Sequence, residues 1–600
     1  MHQNSVRTSS KITAVGKLKA LRQLMHKEKV DAFLVPRADR HQGEFISDND
    51  ARLTWLSGFT GSAGLCIITL KNISLFVDGR YWIQAESEKS NKQIKVQRLE
   101  KKLIVDWLTS SLNKFSTVAF DPWLHTSEEI ENLELGLKGY LKIKPTVNLI
   151  DRLWKNKPKE VVSHAYKLSE KYTGESHQSK LERTAKMIKS SRAAFAIYTL
   201  PDSICWLLNI RGNDITNTPI VKAFAIQKDT SEIEIYVDKA KITSELDKKL
   251  GPMVQFFPTE NLKDRLRQLR GKIWFDSKSC PFAIRNYLIS RKTSWYDTED
   301  PSTRLKAIKN ATEIKGSRLA HLKDGIAMVK FLNWLSKNKK HGLDELSIIK
   351  SLEKFRMLGK KYRGTSFDTI CGSGPNGAII HYKASPKTNR VLGDNDLLLI
   401  DSGGQYLQGT TDITRTIQIG KSSNKKKKHF TLVLKGMIAI SRMSWPVGLS
   451  GRDLDSIARY ALWQEGLDYD HGTGHGVGSF LSVHEGPAAI SRKNEFELKA
   501  GMIISNEPGF YVADSHGIRI ENLLLVKKAS PNKKADSRPM LRFETLTFCP
   551  IDRNLLLLKL LTIDEVKWIN NYHRKIQLKF ENKLAPEEKS WLFKACSPLL

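Results

Sequence analysis

The sequence predicts a chain of the α/β and α+β classes, with two α/β domains in tandem followed by one α+β domain. A pattern of helix, Trp-Leu pair, glycine-containing turn and strands occurs twice in the first 300 residues. From residue 310 onward, helices alternate with paired strands. The 600 residues leave room for three or four domains of roughly 150 residues each. We expect domains at 1–155, 156–309 and 310–541, and a C-terminal extension at 542–600.

The first domain is predicted from an apolar pattern that changes its period along the chain. Leu18, Leu21 and Leu24 recur at helical spacing. Short apolar runs bounded by glycines follow them, and such runs indicate strands joined by tight turns. We predict a helix at 17–28, a strand at 31–35, a hairpin of strands at 65–70 and 73–77, and a second helix from about Tyr81.

The second domain repeats this pattern more weakly. A helix is expected at 180–200, followed by Trp206, Leu207 and a turn ending at Gly212. The third domain is expected to hold a curved sheet, because its helices alternate with antiparallel strand pairs. Its predicted helices lie at 311–337, 343–357, 429–444 and 453–465, with a strand at 378–382 and an amphipathic helix at 562–578.

The formal net charge is +33, from 97 basic and 64 acidic residues, which raises nucleic-acid binding as a hypothesis. The lysines are spread along the chain, and the one dense run, 425–428, has no interleaved aromatic residues to stack on bases. We predict a solvated loop there and no specific nucleic-acid partner. Six scattered cysteines, a start without a secretory segment and the lack of any run of about 18 apolar residues predict a cytoplasmic protein with reduced thiols and no membrane partner.

The stretch from 397 to 526 carries the candidate chemistry. Five side chains that can bind metals lie inside short apolar runs or at their ends. A carboxylate in an apolar strand is costly to bury unless a positive charge compensates it. Four carboxylates that point into one core therefore require cations, and two divalent ions would balance them. The candidate ligands are Asp401, Asp412, His475, Glu507 and Glu521.

The segments around these residues resemble the pita-bread metallopeptidases, the family that contains methionine aminopeptidase, prolidase and aminopeptidase P. The resemblance to the long, three-domain aminopeptidase P type covers nearly the whole chain. It rests on PRADRHQGEF, RLTWLSGFTGSAG and VDGRYWIQA, then ICWLLNIRGNDI, NATEIKGSRLAHLKDG, FDTICGSGPNGAIIHY, HGTGHGVG, VHEGP and FETLTFCPID in order. It implies two creatinase-like α/β domains before a pita-bread α+β catalytic domain.

The resemblance also implies a homodimer with two metal ions in each site, most often Mn(II). Asp401 would hold one ion, Asp412 and Glu521 would bridge both, and His475 and Glu507 would complete the other. This oxygen-rich donor set suits hard ions such as manganese. Two ions that share a hydroxide provide a nucleophile at neutral pH, and Glu507 would serve as the general base.

Five further roles follow from the resemblance. His381, His471 and His484 match positions on the substrate side of the metals. We expect His484 to hydrogen-bond the scissile carbonyl, His381 to face the proline and His471 to shuttle a proton. Arg519, on the same strand face as the last candidate ligand, is expected to tether a carboxylate ligand and to border the substrate. Arg80, in DGRY, is expected to bind the peptide beyond proline.

The predicted function is hydrolysis of the N-terminal Xaa-Pro bond, which releases the first residue of peptides with proline in second position. The nitrogen of this tertiary amide carries no hydrogen, so cleavage requires a pocket for the ring and a proton donor. A prolidase acting on Xaa-Pro dipeptides is the nearest alternative, and the three-domain length favours the aminopeptidase. The alternative of another class is a non-catalytic pita-bread binding module, against which the five retained ligands argue.

Overall fold

The computed structural model describes residues 13–289, 293–339, 342–530 and 538–599. The chain forms two compact units. The first unit contains residues 1–170 and 175–303, and the second contains 171–174 and 304–600. Across the described ranges, none of the helices combines the length and apolar character needed to span a bilayer.

A six-stranded mixed sheet forms the first half of the first unit. Its strand Ala32–Pro36 pairs antiparallel with Leu65–Thr69 and parallel with Thr117–Phe120. The order across the sheet is Lys95–Arg98, Ile73–Val77, Leu65–Thr69, Ala32–Pro36, Thr117–Phe120 and Lys142–Pro145. Its helices are Ala14–Lys27, Arg52–Ser57, Trp82–Glu88, Lys101–Ser111, Ser127–Leu137 and Leu149–Leu153. Nearly all residues of the central strands are buried, as in sheets covered on both faces.

The second half of the first unit repeats this sheet with the same strand order and the same pattern of strand directions. The predicted pair of tandem α/β folds is therefore confirmed. The order here is Val254–Phe257, Ile233–Tyr236, Phe224–Lys228, Phe195–Tyr198, Lys272–Phe275 and Ser294–Asp297. The helices are His177–Ser190, Pro201–Leu208, Ser244–Leu250, Leu262–Gln268 and Phe282–Ile289.

Each half of the first unit contains the same kind of buried contact between a lysine and a tryptophan. Lys17 Nζ donates to the Trp55 carbonyl at 2.9 Å and lies 4.7 Å from the centre of its ring. Lys180 Nζ donates to the Trp206 carbonyl at 2.9 Å and lies 4.1 Å from that ring. The same pairing of helix and Trp-Leu segment in both halves explains the repeat seen in the sequence.

The second unit combines long helices with small antiparallel sheets, as predicted for an α+β fold. The helices are Ala311–Asn338, Glu345–Met357, Asn424–Arg442, Gly451–Trp463, Ile563–Phe580 and Pro586–Ala595. The principal strands are Tyr362–Thr365, Ile370–Ser373, Leu397–Ser402, Gly404–Tyr406, Ile413–Gln418, Ile503–Asn506, Gly509–Val512, His516–Arg519, Asn522–Lys528 and Met540–Thr545. Short strands complete the unit at Gly409–Thr410, Ser444–Pro446, Gly474–His475 and Ala489–Ile490.

Three predictions of local structure were wrong. The helix expected at 180–200 ends at Ser190, because Arg192 adopts a left-handed backbone and the chain turns into the strand Phe195–Tyr198. The strand expected at 378–382 does not form, because the 3₁₀ helix Gly374–Ala378 ends there and a turn follows at 379–381. The lysine run at 425–428 is the first turn of a helix rather than a loop, because the Ser423 side chain caps the backbone at this point.

A buried apolar cluster holds the strands of the second unit in place. Val433 and Met437, from helix Asn424–Arg442, pack in one cluster with Ile518 and Ile520 from the segment that leads to Glu521. Ile569 and Ile576 of the predicted amphipathic helix join the same cluster, which confirms their inward face. Burial of each such side chain contributes roughly 1.5–3 kcal/mol. All six cysteines are buried and free, in agreement with the sequence prediction.

Candidate metal centre

The first candidate ligand stands at the end of a fully buried strand. Asp401 lies in Leu397–Ser402, opposite Thr414 of the neighbouring antiparallel strand. Gly403 follows, and a Cβ there would lie 2.0 Å from the Thr411 carbonyl oxygen. Only glycine therefore permits the close approach of residue 403 to Thr411, the residue before Asp412. That residue lies just before the strand Ile413–Gln418, whereas the sequence suggested a position within it.

Glu521 reaches the same place from the junction between the strands His516–Arg519 and Asn522–Lys528, so it does not share a strand with Arg519 as the sequence suggested. Its backbone N–H donates to the Thr414 carbonyl at 3.1 Å, and its carboxylate accepts the Thr414 hydroxyl proton at 2.8 Å. The strand Gly474–His475 lies directly against the backbone of Ser505. A Cβ on Gly474 would lie 1.9 Å from the Ser505 carbonyl oxygen, so glycine permits this approach. The Ser505 hydroxyl donates to Glu507 at 3.0 Å and accepts the His475 N–H at 2.9 Å.

The structure thus brings the candidate ligands together. Asp412, His475 and Glu521 each offer a ligand atom within 4.8 Å of the others. His475 Nε2 lies 3.6 Å from Asp412 Oδ2 and 3.3 Å from Glu507 Oε1. His475 Nδ1 faces the Gly476 carbonyl at 2.9 Å and must donate to it, so neutral His475 presents the Nε2 lone pair to the carboxylates. That arrangement favours a cation between them.

Three carboxylate oxygens of this cluster have no hydrogen-bond donor beside them in the described part of the chain. Within the described residues, Asp401 Oδ1, Asp412 Oδ1 and Glu521 Oε1 are buried without a hydrogen-bond partner. Burial and the neighbouring carboxylates raise the pKa of Asp412 and of Glu521 well above the ordinary values. Buried polar groups are normally satisfied, so unpaired carboxylate oxygens around an imidazole fit a site for hard divalent ions.

One buried cation of the protein itself borders the cluster. Arg519 is almost fully buried, and its Nη2 donates to Asp401 Oδ2 at 2.6 Å. The same guanidinium donates to the Tyr511 hydroxyl at 2.7 Å and to the Ile380 carbonyl at 3.2 Å. The latter contact fixes the residue before His381. The tether expected of Arg519 is therefore present, while its contact with substrate stays a prediction.

Two of the predicted catalytic histidines, His471 and His484, lie around this arrangement, and the backbone next to the third, His381, is held by the contact of Arg519 with Ile380. The His484 ring stands edge-to-face on His475, with the ring centres 4.2 Å apart. His471 Nδ1 faces the Gly472 carbonyl at 2.8 Å and Nε2 faces the Tyr511 hydroxyl at 2.9 Å. Because a carbonyl only accepts, Nδ1 carries the hydrogen and Nε2 accepts from Tyr511.

Arg80 lies in the first unit and is held by acidic neighbours. Its Nη2 donates to Asp78 Oδ2 at 2.7 Å and its Nη1 to Glu44 Oε1 at 3.1 Å. The guanidinium also lies 5.1 Å from the centre of the Tyr81 ring. The Arg80 side chain is 23% exposed, so both ion pairs are partly buried.

Two ion pairs beside the site were missed by sequence reasoning. Lys309 donates to the buried carboxylate of Glu485, which follows His484 in VHEGP. The partners are 176 residues apart, so no local pattern links them. Asp455 and Arg459 form the other pair, and their four-residue spacing just before HGTGH is a signal that sequence reasoning had available.

Family models match most of the chain. The Creatinase/Prolidase N-terminal domain matches residues 17–153 and, in a second form, 156–313. Metallopeptidase family M24 matches 315–528, and the C-terminal region of peptidase M24 matches 539–599. The tandem α/β folds and the α+β fold thus correspond to separate matched regions.

Individual proteins are similar over the full length. Probable Xaa-Pro aminopeptidase P from Aspergillus fumigatus is 38% identical over 98% of this chain and 93% of its own length. The protein of that name from Laccaria bicolor is 37% identical, over 98% of this chain and 94% of its own. X-prolyl aminopeptidase from Caenorhabditis elegans, described as a cytosolic enzyme with a di-nuclear active site, matches with a TM-score of 0.93 at 33% identity, over 98% of this chain and 100% of that one. The chain therefore belongs to metallopeptidase family M24, as a long aminopeptidase P with two creatinase-type domains before the pita-bread domain.

Proposed function

We propose that this protein is a dinuclear metal-dependent aminopeptidase that hydrolyses the N-terminal Xaa-Pro bond of peptides. The observation that carries the proposal is the buried cluster of carboxylates around His475, in which oxygens of Asp401, Asp412 and Glu521 have no hydrogen-bond partner among the residues that the structure describes. Its place in a chain 38% identical to a probable Xaa-Pro aminopeptidase P supports the substrate class. Retention of the donor set argues against the non-catalytic alternative.

The donor set fits two divalent ions, and its oxygen-rich character favours Mn(II). We infer that Asp401 would hold one ion, that Asp412 and Glu521 would bridge both, and that His475 and Glu507 would complete the other. When bound, the two ions would polarise the scissile carbonyl and lower the pKa of an attacking water.

The chain's own residues would manage the protons and the substrate. Glu507 accepts the proton of the attacking water, and the Ser505 hydroxyl holds one of its oxygens. His484, on the edge of His475, donates to the carbonyl oxygen as negative charge develops there. His381 faces the proline ring. His471, whose Nε2 accepts from Tyr511, would first take up at Nε2 the proton that Glu507 removes from the water, and would then pass it to the leaving nitrogen.

The organisation predicted from the sequence also stays a proposal. The domains would comprise residues 1–155, 156–309, 310–541 and the extension 542–600, which the matched family regions support. We propose a homodimer that works in the cytosol on peptides with proline second, with no specific nucleic-acid or membrane partner. The cytosolic relative from Caenorhabditis elegans supports the compartment.

Hydrolysis of three peptides by the Mn(II)-supplemented protein tests the function. Arg-Pro-Pro, Arg-Pro and Met-Ala-Ser separate an Xaa-Pro aminopeptidase from a prolidase and from a methionine aminopeptidase. Release of arginine from Arg-Pro-Pro, with little cleavage of the other two, is expected. Preference for Arg-Pro would favour a prolidase, and absence of hydrolysis in all three would overturn the proposed activity.

The predicted roles of the histidines lead to one mutational test. His484→Ala and His381→Ala are expected to keep their metal content, because neither residue belongs to the proposed ligand set. Loss of the donor at His484 should lower kcat/KM by about 10²–10³-fold. Metal analysis and kinetics on Arg-Pro-Pro check both statements. A variant that has lost its ions would instead belong among the ligands.

Arg80 is expected to act on peptide binding. Arg80→Ala should raise KM for peptides longer than two residues and leave kcat and metal content near those of the wild type, because the guanidinium offers a planar two-donor contact. Arg98→Ala, at the exposed end of the strand Lys95–Arg98, is the matched control. Unchanged kinetics in Arg80→Ala would assign this residue to its ion pairs with Asp78 and Glu44 alone.

A further inference from the structure

A buried ion pair lies on one face of the helix Gly451–Trp463. Asp455 and Arg459 are four residues apart, so their side chains share a face. Arg459 Nε lies 2.7 Å from Asp455 Oδ2, and Nη2 lies 3.3 Å from Oδ1. Asp455 is fully buried and Arg459 is 3% exposed. Such a pair is costly to desolvate, so its remaining contacts matter.

Arg459 uses its other donors on the loop that follows the helix. Nη1 donates to the Tyr469 carbonyl and to Asp468 Oδ1, each at 2.7 Å. Nη2 donates to the His471 carbonyl at 2.7 Å. The guanidinium lies 3.8 Å from the centre of the Tyr469 ring. One planar fork thus fixes the backbone on both sides of residue 470, which a single ammonium group cannot do.

Asp455 holds the next part of the same loop. The Thr473 hydroxyl donates to Asp455 Oδ1 at 2.6 Å. The Tyr469 hydroxyl, 2.5 Å from Thr473 Oγ1, therefore donates to that oxygen. The Thr473 carbonyl in turn accepts the backbone N–H of Glu507 at 2.8 Å. A continuous chain of contacts runs from the helix face to the proposed general base.

We propose that Asp455 and Arg459 are positioning residues that set His471 and Glu507 in one geometry. The inference rests on the proposed peptidase activity and adds residues to which the predicted site gave no role. Neither side chain contacts substrate in this scheme. Arg459 acts through the His471 carbonyl, and Asp455 acts through Thr473 on the Glu507 backbone. Because both contacts start from one rigid helix face, His471 and Glu507 keep a fixed separation.

Arg459→Lys is the sharpest variant, since it keeps a positive charge beside Asp455 and avoids an unpaired buried carboxylate. We expect kcat on Arg-Pro-Pro to fall by about 10–100-fold, as for groups that orient active-site residues, with KM and metal content little changed. Arg452→Lys is the matched control, because Arg452 is exposed on the same helix and pairs with the exposed Glu495. A kcat equal to that of the control would overturn the inference.

A double-mutant cycle separates positioning from general stability. If Arg459 acts through His471, then Arg459→Lys should cost much less in the His471→Ala background than in the wild type. Full additivity of the two losses would contradict this route. Thr473→Val, which removes the hydroxyl that contacts Asp455 and keeps the shape of the side chain, should also lower kcat. It tests the route from Asp455 to Glu507, and a kcat equal to that of the wild type would overturn that half of the inference even if Arg459→Lys does not fold.

Hydrogen exchange gives a reading that does not depend on activity. In the metal-free protein, Arg459→Lys should speed amide exchange in the loop 469–475 and at Glu507, whose N–H bonds to Thr473. Exchange that matches the Arg452→Lys control would overturn the inference. A wild-type protein that fails to cleave Arg-Pro-Pro would overturn the proposed function instead, and the exchange result would still decide whether the pair holds the loop.

Discussion

Asp412→Asn is expected to abolish metal-dependent hydrolysis and, at the same time, to raise the thermal stability of the metal-free protein. Asp412 is buried among carboxylates, and its Oδ1 lacks a hydrogen-bond partner within the described residues. In the metal-free protein, removal of the Asp412 negative charge relieves its repulsion with the carboxylates of Asp401 and Glu507. With ions, removal of a carboxylate that is proposed to bridge both should cost more than the roughly 10–100-fold in metal affinity that is typical of an outer ligand partner.

The pH dependence of this stability difference has a defined sign. The pKa of Asp412 in the folded, metal-free protein is raised by burial and by the charges of Asp401 and Glu507. The folded protein therefore keeps the Asp412 carboxyl proton to a higher pH than the unfolded chain, in which an aspartate has a pKa of about 3.9. The contribution of Asp412 to the free energy of unfolding is therefore lost as the pH rises from the pKa of the unfolded chain through the raised pKa of the folded protein. Asparagine has no such loss, so the advantage of the variant should grow over this window.

Melting temperatures in EDTA at several pH values between 5 and 8, together with metal analysis after Mn(II) addition, check both halves of the prediction. The wild type should gain stability when Mn(II) binds, and the variant should gain much less. Asp368→Asn is a suitable control, because that carboxylate is exposed and pairs with Lys383 at the surface. A melting-temperature difference that does not change with pH would contradict the assignment of Asp412 to the buried cluster.

The candidate ligands could be selected from the sequence because each has a local signature, and their binding of metal stays a prediction. Asp401 and Glu521 interrupt apolar runs, and a charged side chain there needs a partner or a cation. The sequence predicted that Arg519 tethers a carboxylate ligand, but it did not identify Asp401 as the partner, because the two residues are 118 apart. The tandem α/β pair was visible because the Lys17–Trp55 contact and its counterpart reuse the same local pattern.

Features that depend on distant contacts were not predictable. The residues 378–382 have the sequence pattern of a strand. The backbone just before them, however, packs directly against Gly517, where a Cβ would lie 1.7 Å from the Gly377 carbonyl oxygen. The pairing of Glu485 with Lys309 joins segments far apart in sequence. The lysines at 425–428 begin a helix although cations are disfavoured at a helix N-terminus, because the cap at Ser423 and the buried face beyond it prevail.

Arg519→Met is expected to have the opposite effect to Asp412→Asn on the metal-free protein. The Arg519 guanidinium is the protein's own positive charge against Asp401, at 2.6 Å. Removal of one partner from a buried ion pair typically costs about 3–5 kcal/mol, because the other charge stays buried and unpaired. Mn(II) would bring positive charge to the same carboxylate. The loss in the free energy of unfolding should therefore be clearly smaller in Mn(II) than in EDTA.

Arg415 supplies the matched control for this experiment. It is also fully buried, but its guanidinium donates to the carbonyl oxygens of Glu521 and Cys549 and to the Tyr572 hydroxyl. Arg415→Met should destabilise the protein by a similar amount in EDTA and in Mn(II), since bound ions cannot satisfy those acceptors. Urea unfolding of both variants under the two conditions gives the comparison. Equal losses for Arg519→Met with and without Mn(II) would show that Asp401 does not share its charge with a metal, and would remove it from the ligand set.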